Sequence, residues 1–230
     1  MKIVVFDLDG TIVPEDTFVN FLLKCLSTYP TRLASCLHLP FAVVMHYLGI
    51  RDNTWLKKVF LRSIVGGLNR RQIGEIASNF IDNSVMNHTK PLALEAIAEH
   101  RKAGHTLVLA SASPDLYVTE LGVRLGFDHV IATKIAWRSI QSPNGCVTST
   151  HDQQICSGEI EGENCYGQNK IARLKQDVSG VESDYYAAYS DHHSDLPLLE
   201  MAHRGYAVDA TASLQRLANE RRLDLLAWKR

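Results

Sequence analysis

Residues 2–6 form an apolar run with no alternation, the pattern of a strand buried on both faces of a parallel sheet. Asp7-Leu8-Asp9-Gly10-Thr11 stands at its end. The pattern then turns helical over roughly 15–88. Phe18, Phe21, Leu22, Cys25 and Leu26 recur at the spacing of one helix face, as do Ile73, Ile76, Ala77, Phe80 and Ile81. Gly66, Gly67 and Asn69 punctuate between helices. From Pro91 onward helices and strands alternate. The spacing predicts a helix over 91–103 closed by Gly104, a strand over 105–110, a helix over 114–125 closed by Gly126, and a short strand over 129–132. Residues 139–165 are polar, and Pro143-Asn144-Gly145 suggests a hairpin turn. Beyond it the pattern predicts a helix over 169–178, a strand over 185–189, a helix over 196–202, and final strands over 205–208 and 223–227 flanking a helix.

Strands alternating with helices indicate an α/β fold with a parallel sheet. The expected division is a core of residues 1–13 and 91–230 and a helical cap of residues 14–90. The cap leaves the core at the carboxyl end of the first strand. Open α/β sheets bind ligands at that end, so an insertion there is placed to cover a site. The sequence shows no internal repeat and no low-complexity tract.

Composition narrows the function. The 230 residues are 46% hydrophobic and 21% charged, ordinary for a globular chain. A formal net charge of −1 leaves no basic excess for nucleic acid. The apolar N-terminal stretch is too short for a signal peptide, and the odd number of cysteines, 5, fits reduced thiols in a cytoplasm. The most apolar stretch, 33–50, is interrupted by His38, Pro40 and His46, which argues against a membrane span. A helix pair lying on a hydrophobic surface stays open there. Trp55, Val59 and Phe60 read as cap core. Cys146, Cys156 and Cys165 with His151 fit none of the short paired spacings of structural zinc, so free thiols and no structural metal are expected.

The polar residues at the predicted strand ends carry the candidate chemistry. Asp7 and Asp9, two apart, fall on one side of the sheet. Carboxylates so close repel unless a cation lies between them or one holds a proton. The plain alternative is a loop decorated with solvated aspartates. Gly10 and Thr11 favour function, because glycine permits a tight turn with exposed N–H groups near an anion. Ser111 lies between a strand and a predicted helix, where it either faces an anion or, like Ser113, serves as an N-cap. Lys170 stands in the first turn of a predicted helix, a place the helix dipole disfavours for a cation unless an anionic site is near. Asp191 and Asp195 follow the strand over 185–189. They are either an acidic turn with a helix cap or a second strand-end pair able to share one hard cation such as Mg²⁺.

In this order Asp7-Leu8-Asp9-Gly10-Thr11, Ser111, Lys170 and Ser190-Asp191-His192-His193-Ser194-Asp195 resemble the haloacid dehalogenase superfamily over nearly the whole chain. The stretches around Leu107–Pro114 and 189–199 resemble its phosphoserine-phosphatase-like branch. The resemblance implies a Rossmann-like core with helices on both faces, a helical cap inserted after the first motif, and a Mg²⁺-dependent phosphatase. It implies Asp7 as nucleophile and Asp9 as general acid and base. Gly10, Thr11, Ser111, Ala112 and Lys170 would hold the phosphoryl group. Asp7, the Asp9 carbonyl and Asp191 would hold Mg²⁺, with Asp195 orienting a metal-bound water or Lys170. Ser194 stands where phosphoserine phosphatases carry asparagine. Asp16 aligns with their cap glutamate, and Arg62 with their carboxylate-binding arginine after a one-residue gap. His192 is a further candidate for substrate contact. The expected activity is hydrolysis of a small phosphomonoester such as phosphoserine or histidinol phosphate, by a cytoplasmic enzyme. Two alternatives remain: a lipid-phosphate phosphatase of the phosphatidylglycerophosphate type at a membrane surface, and a catalytically silent phospho-ligand binding module.

Overall fold

The structure, a computed structural model, describes residues 2–139 and 154–228. Strand β1 (Ile3–Phe6) is buried at all four positions, as the unbroken apolar run requires. The chain continues through α1 (Thr17–Thr28), a 3₁₀ turn (Pro30–Cys36), α2 (Leu39–Tyr47), α3 (Asn53–Ile64) and α4 (Arg70–Phe80). A π-helical stretch (Ile81–Val85) leads into α5 (Met86–His88) and α6 (Pro91–Lys102). Then come β2 (Thr106–Pro114), α7 (Asp115–Leu125), β3 (His129–Thr133), β4 (Ile135–Ser139) and β5 (Gln154–Ile160). The chain ends with α8 (Gln168–Asp177), α9 (Val181–Asp184), β6 (Tyr185–Ser190), α10 (Leu196–Met201), β7 (Arg204–Val208), α11 (Ala212–Arg221) and β8 (Asp224–Leu226).

Six strands form one sheet in the order β3-β2-β1-β6-β7-β8. Every neighbouring pair is parallel. The chain builds outward from β1 to β3, then returns to the other side of β1 with β6. That reversal opens a crevice at the carboxyl ends of β1 and β6, the usual ligand position in such sheets. On one face Ile3, Val5 and Val108 pack with Leu174, Leu198 and Leu214 from α8, α10 and α11. On the other, the Phe6 ring stacks on Tyr189 at 4.4 Å and meets His100 of α6 edge-on at 6.1 Å. Helices therefore cover both faces of a Rossmann-like α/β core.

The described chain divides into two compact units. Among the described residues the first holds 2–17, 81–133 and 165–228, and the second holds 18–80, 134–139 and 154–164. This differs from the expected division at one large segment. The pattern of helices and strands assigns residues 134–164 to the core, yet the antiparallel pair β4–β5 groups with the helices. The cause is backbone pairing beyond the reach of local pattern. Cys156 N–H donates to the Leu68 carbonyl and Gly67 N–H to that of Cys156, each at 2.8 Å. Lys57 Nζ adds a buried bond to Asn164 Oδ1 at 3.0 Å. The proposed turn Pro143-Asn144-Gly145 lies outside the described residues. Trp55, Val59 and Phe60, expected in the core of the helical block, are only partly buried.

Gly122 lies inside α7, where glycine ordinarily costs about 1 kcal/mol against alanine. Here a Cβ would overlap Val130 Cγ2 on β3. Val130 is β-branched and cannot swing aside freely. Gly122→Ala should therefore lower stability in urea denaturation, although the same change in an open helix would raise it by about 1 kcal/mol.

Candidate active site

Asp7 is the first residue past β1, and its N–H donates to Tyr189 O of β6 at 2.9 Å. The carbonyl of Leu8 then accepts from the N–H groups of Thr11, Ile12 and Val13 at 3.3, 2.9 and 3.1 Å. This coil turns the chain sharply at Gly10, whose φ is +77°. Glycine is required there twice over. The left-handed conformation disfavours a side chain, and a Cβ would overlap the Asp191 carboxylate.

Lys170, in the first turn of α8, is buried with its Nζ between two carboxylates. It lies 2.8 Å from Asp7 Oδ1 and 2.7 Å from Asp195 Oδ2. Ser190 Oγ also donates to Asp195 Oδ2 at 2.8 Å, while Asp195 Oδ1 is buried with no hydrogen-bond partner among the described residues. Thr11 Oγ1 reaches Asp7 Oδ2 at 3.4 Å.

Asp9 is held apart from this ion pair. Its Oδ1 accepts from Thr17 N and Oγ1 at 2.7 and 2.6 Å. Its Oδ2 accepts from Ser113 Oγ at 2.8 Å and, more weakly, from Ser111 Oγ at 3.4 Å. Thr17 Oγ1 in turn meets Tyr117 OH at 2.8 Å. The helix expected over 114–125 is present, and the strand expected over 105–110 is longer than its pattern suggests. β2 runs on through the motif to Pro114, and α7 begins at Asp115 with Pro114 at its N-cap. Neither serine caps the helix. Ser111 Oγ accepts Ser113 N–H at 3.0 Å, and Ser113 Oγ points to Asp9. Ala112 lends its carbonyl to Thr133 Oγ1 at 2.6 Å.

Burial dominates the electrostatics. It pushes the Asp7 carboxyl up to about 8, against the pull of Lys170, and Asp195 and Asp191 add to the rise. Burial likewise raises Asp9, against its bonds from Thr17 and Ser113. Asp191 is pushed up to about 6, chiefly by burial and further by Asp195. Burial opposes the Lys170 charge, but Asp195 and Asp7 hold its ammonium above the ordinary lysine value. Three crowded carboxylates against one ammonium leave excess negative charge in a dry place, which suits a hard divalent cation. Among the described residues no three His, Cys, Asp or Glu side chains gather tightly enough to hold an ion alone. The donor set expected here is smaller, two carboxylates and the Asp9 carbonyl, and Mg²⁺ keeps several waters in such sites. The residues present fit the ion.

The remaining candidates lie elsewhere. Asp16 is exposed and immediately precedes α1. His192 accepts Ser194 N–H at 3.2 Å through Nδ1, which also lies 2.8 Å from Ser194 Oγ. Arg62 belongs to α3 in the second unit, where its Nε donates to Glu159 on β5. Cys156 and Cys165 are buried in different units, and Cys146 and His151 lie outside the described residues.

Sequence reasoning missed Thr17, Ser113 and Tyr117 around Asp9. It also missed a second buried ion pair, Lys90 Nζ to Asp209 Oδ2 at 2.6 Å, in which Lys90 also donates to the Gly10 carbonyl. Asp209 has φ +44°, and its Oδ1 accepts Trp228 N–H at 2.9 Å. The one available signal was Lys90 before Pro91, a charge set at the start of an otherwise apolar helix face.

A family model described as haloacid dehalogenase-like hydrolase matches residues 4–200, and the chain belongs to that family. It is 30% identical over 207 residues to protein CicA of Caulobacter vibrioides, spanning 90% of this chain and 86% of CicA. A solved structure of a protein with unknown function from Bordetella pertussis Tohama I matches with TM-score 0.80 at 19% identity, covering 98% of this chain and 97% of that one. A phosphoserine phosphatase solved as a phospho-aspartyl intermediate analogue matches with TM-score 0.60 at 18% identity, covering 100% and 94%. Both structures share this fold.

Removing one partner of a buried pair strands the other charge, at a cost of about 3–5 kcal/mol. Lys90→Met should lower unfolding free energy by about that much in urea denaturation. Lys90→Met with Asp209→Asn should recover a large part of it, because Asn keeps an acceptor for Trp228 without the charge.

Proposed function

We propose that this chain is a Mg²⁺-dependent phosphatase acting on a small phosphate monoester through an aspartyl-phosphate on Asp7. The observation that carries this reading is the arrangement of two carboxylates in different environments. Burial raises both carboxyls, but Asp7 has the Lys170 ammonium at 2.8 Å to favour its anion, while Asp9 has the neutral donors Thr17 and Ser113. Environments that separate two carboxyls in this way separate a nucleophile from an acid.

In the first step Asp7 attacks phosphorus and the bond to the leaving alcohol oxygen breaks. Protonated Asp9 gives its proton to that oxygen as the alcohol departs. In the second step Asp9, now a carboxylate, takes a proton from water as the water attacks the same phosphorus. The Asp7–phosphorus bond breaks, and inorganic phosphate and free Asp7 are released. Lys170 balances charge on Asp7 and on the phosphoryl oxygens, and the Gly10–Thr11 turn and Ser111 supply further donors. Mg²⁺, held by Asp7, Asp191 and the Asp9 carbonyl, would neutralise phosphoryl charge so that an anionic nucleophile can approach it. Asp195 keeps Lys170 in place, and its free Oδ1 suits a water in the metal's shell.

Phosphoserine and histidinol phosphate are the substrates proposed, with Asp16 as the candidate partner for an amine and His192 as a further contact. The free thiols of Cys25, Cys36 and Cys165 favour a cytoplasmic enzyme.

Asp7→Asn keeps the shape of the side chain and removes the nucleophilic anion. Turnover of p-nitrophenyl phosphate should vanish while the thermal melt persists, and residual activity above about 2% of wild type would sink the covalent mechanism. Activity should also disappear on exhaustive chelation and return with Mg²⁺. Ca²⁺ should restore it poorly, because its larger and looser shell disturbs in-line geometry. Full activity in the chelated enzyme would remove the metal from the reading while leaving Asp7 untouched.

A further inference from the structure

The second unit carries an apolar surface that the catalytic reading does not use. Leu37 and Tyr47 are each 84% exposed and Phe41 and Leu48 each 68%, with Leu33, Val44 and Ile50 also more than half exposed. A single exposed leucine means little, but seven large apolar side chains within residues 33–50 mark an interaction site. No Asp, Glu, Lys or Arg lies between Arg32 and Arg51. Only Leu39 and Ala42 of α2 are buried, so this helix turns an apolar surface outward. At nine residues it is about 13 Å long, far too short to cross a bilayer.

Beside it opens a cavity of about 500 Å³, lined among others by His38, Phe41, Met45, Trp55, Val59 and Ser63. Its polar lining is Ser35, His38, Arg51, Arg62 and Ser63, of which Ser63 Oγ and His38 Nε2 meet at 3.2 Å and Arg62 is paired with Glu159. Trp55 and Val59 are only partly buried because they form this wall.

Charge identifies the occupant. Residues 18–80 hold eight lysines and arginines and two acids, Asp52 and Glu75, the latter paired with Arg71. The rest of the chain holds 16 basic residues against 23 acidic ones. Arg51 is exposed at the end of the apolar stretch, with its guanidinium 5.4 Å from the Trp55 ring. We propose that the 33–50 segment docks on an anionic lipid bilayer. Its apolar side chains enter the boundary between headgroups and acyl chains, its flanking cations meet lipid phosphates, and the open cavity takes the end of an acyl chain. A second copy of the chain fits less well. A symmetric pair would bring the cations flanking the patch, such as Arg51, towards their own copies with no acid between Arg32 and Arg51 to offset them.

Co-sedimentation of the full chain with vesicles tests this. Phosphatidylcholine vesicles containing phosphatidylglycerol should pellet the protein, pure phosphatidylcholine should pellet much less, and added salt should weaken the binding. Phe41→Asp with Leu48→Asp replaces two exposed side chains, so thermal melting should be retained while vesicle affinity falls at least about tenfold. Arg51→Glu should weaken binding to the anionic vesicles alone. Failure to pellet with anionic vesicles, or equal binding by the aspartate variant, overturns the proposal. A dimer in sedimentation velocity that the aspartate variant dissolves assigns the face to a second copy and likewise overturns it.

Discussion

Lys170 is buried, and an ammonium removed from water costs several kcal/mol unless its surroundings repay it. Asp7 and Asp195 repay it from either side, at 2.8 and 2.7 Å. Much of the core is arranged by that requirement. Asp7 leaves the end of β1, Asp195 follows β6, and Lys170 rides the start of α8, so the three charges meet only if β1 and β6 are neighbours. The parallel order around β1 satisfies this. The interaction also explains how Lys170 tolerates the positive end of a helix. The two carboxylates outweigh the unfavourable dipole, which is worth well under the cost of a lone buried charge.

A second pair steadies the same loop from another direction. Lys90 binds both Asp209 and the Gly10 carbonyl, and Thr211 N–H donates to the Asp191 carbonyl at 2.9 Å. The segment after β7 is thereby tied to the loops after β1 and β6. Gly10 is fixed at its carbonyl by Lys90 and crowded at its α-carbon by Asp191. A turn held on two sides can keep the Asp7 and Asp9 carboxyls at a set separation without help from a ligand. This matters because three carboxylates left to repel would otherwise drift apart or take up protons.

The parts of this arrangement legible in the sequence are those written in local pattern. β1 and β6 announce themselves as short unbroken apolar runs, and the acids at their ends stand out because buried strands tolerate few. The helix carrying Lys170 follows from its spacing. What stayed hidden depends on pairings across long separations. Ser111 and Ser113 both end an apolar strand, and only the extension of β2 to Pro114 sets Ser113 Oγ nearer Asp9, 2.8 Å against 3.4 Å. Lys90 and Asp209 lie far apart in the chain, and each alone reads as a surface charge. The β4–β5 pair follows a strand of the core in sequence, yet Leu68 and Gly67 claim its backbone. No local propensity distinguishes those two destinations.

A net charge of −1 conceals a strong segregation, and the two parts have different physical reasons for it. Four of the acids outside residues 18–80, Asp7, Asp9, Asp191 and Asp195, gather at the ends of β1 and β6, where the proposed phosphate chemistry would use them. Lys170 is fixed there by ion pairs with Asp7 and Asp195, and in the proposed chemistry a mobile lysine would compete with a divalent cation for Asp7 and Asp191. Residues 18–80 face no such demand, and of their two acids Asp52 accepts Trp55 N–H at 2.7 Å as the N-cap of α3. Its place at a helix N-terminus is accounted for by capping alone. Several basic residues of that segment are held by partners, Arg62 by Glu159, Arg71 by Glu75 and buried Lys57 by Asn164, whereas Arg51 is exposed at the end of the apolar stretch with its guanidinium over the Trp55 ring.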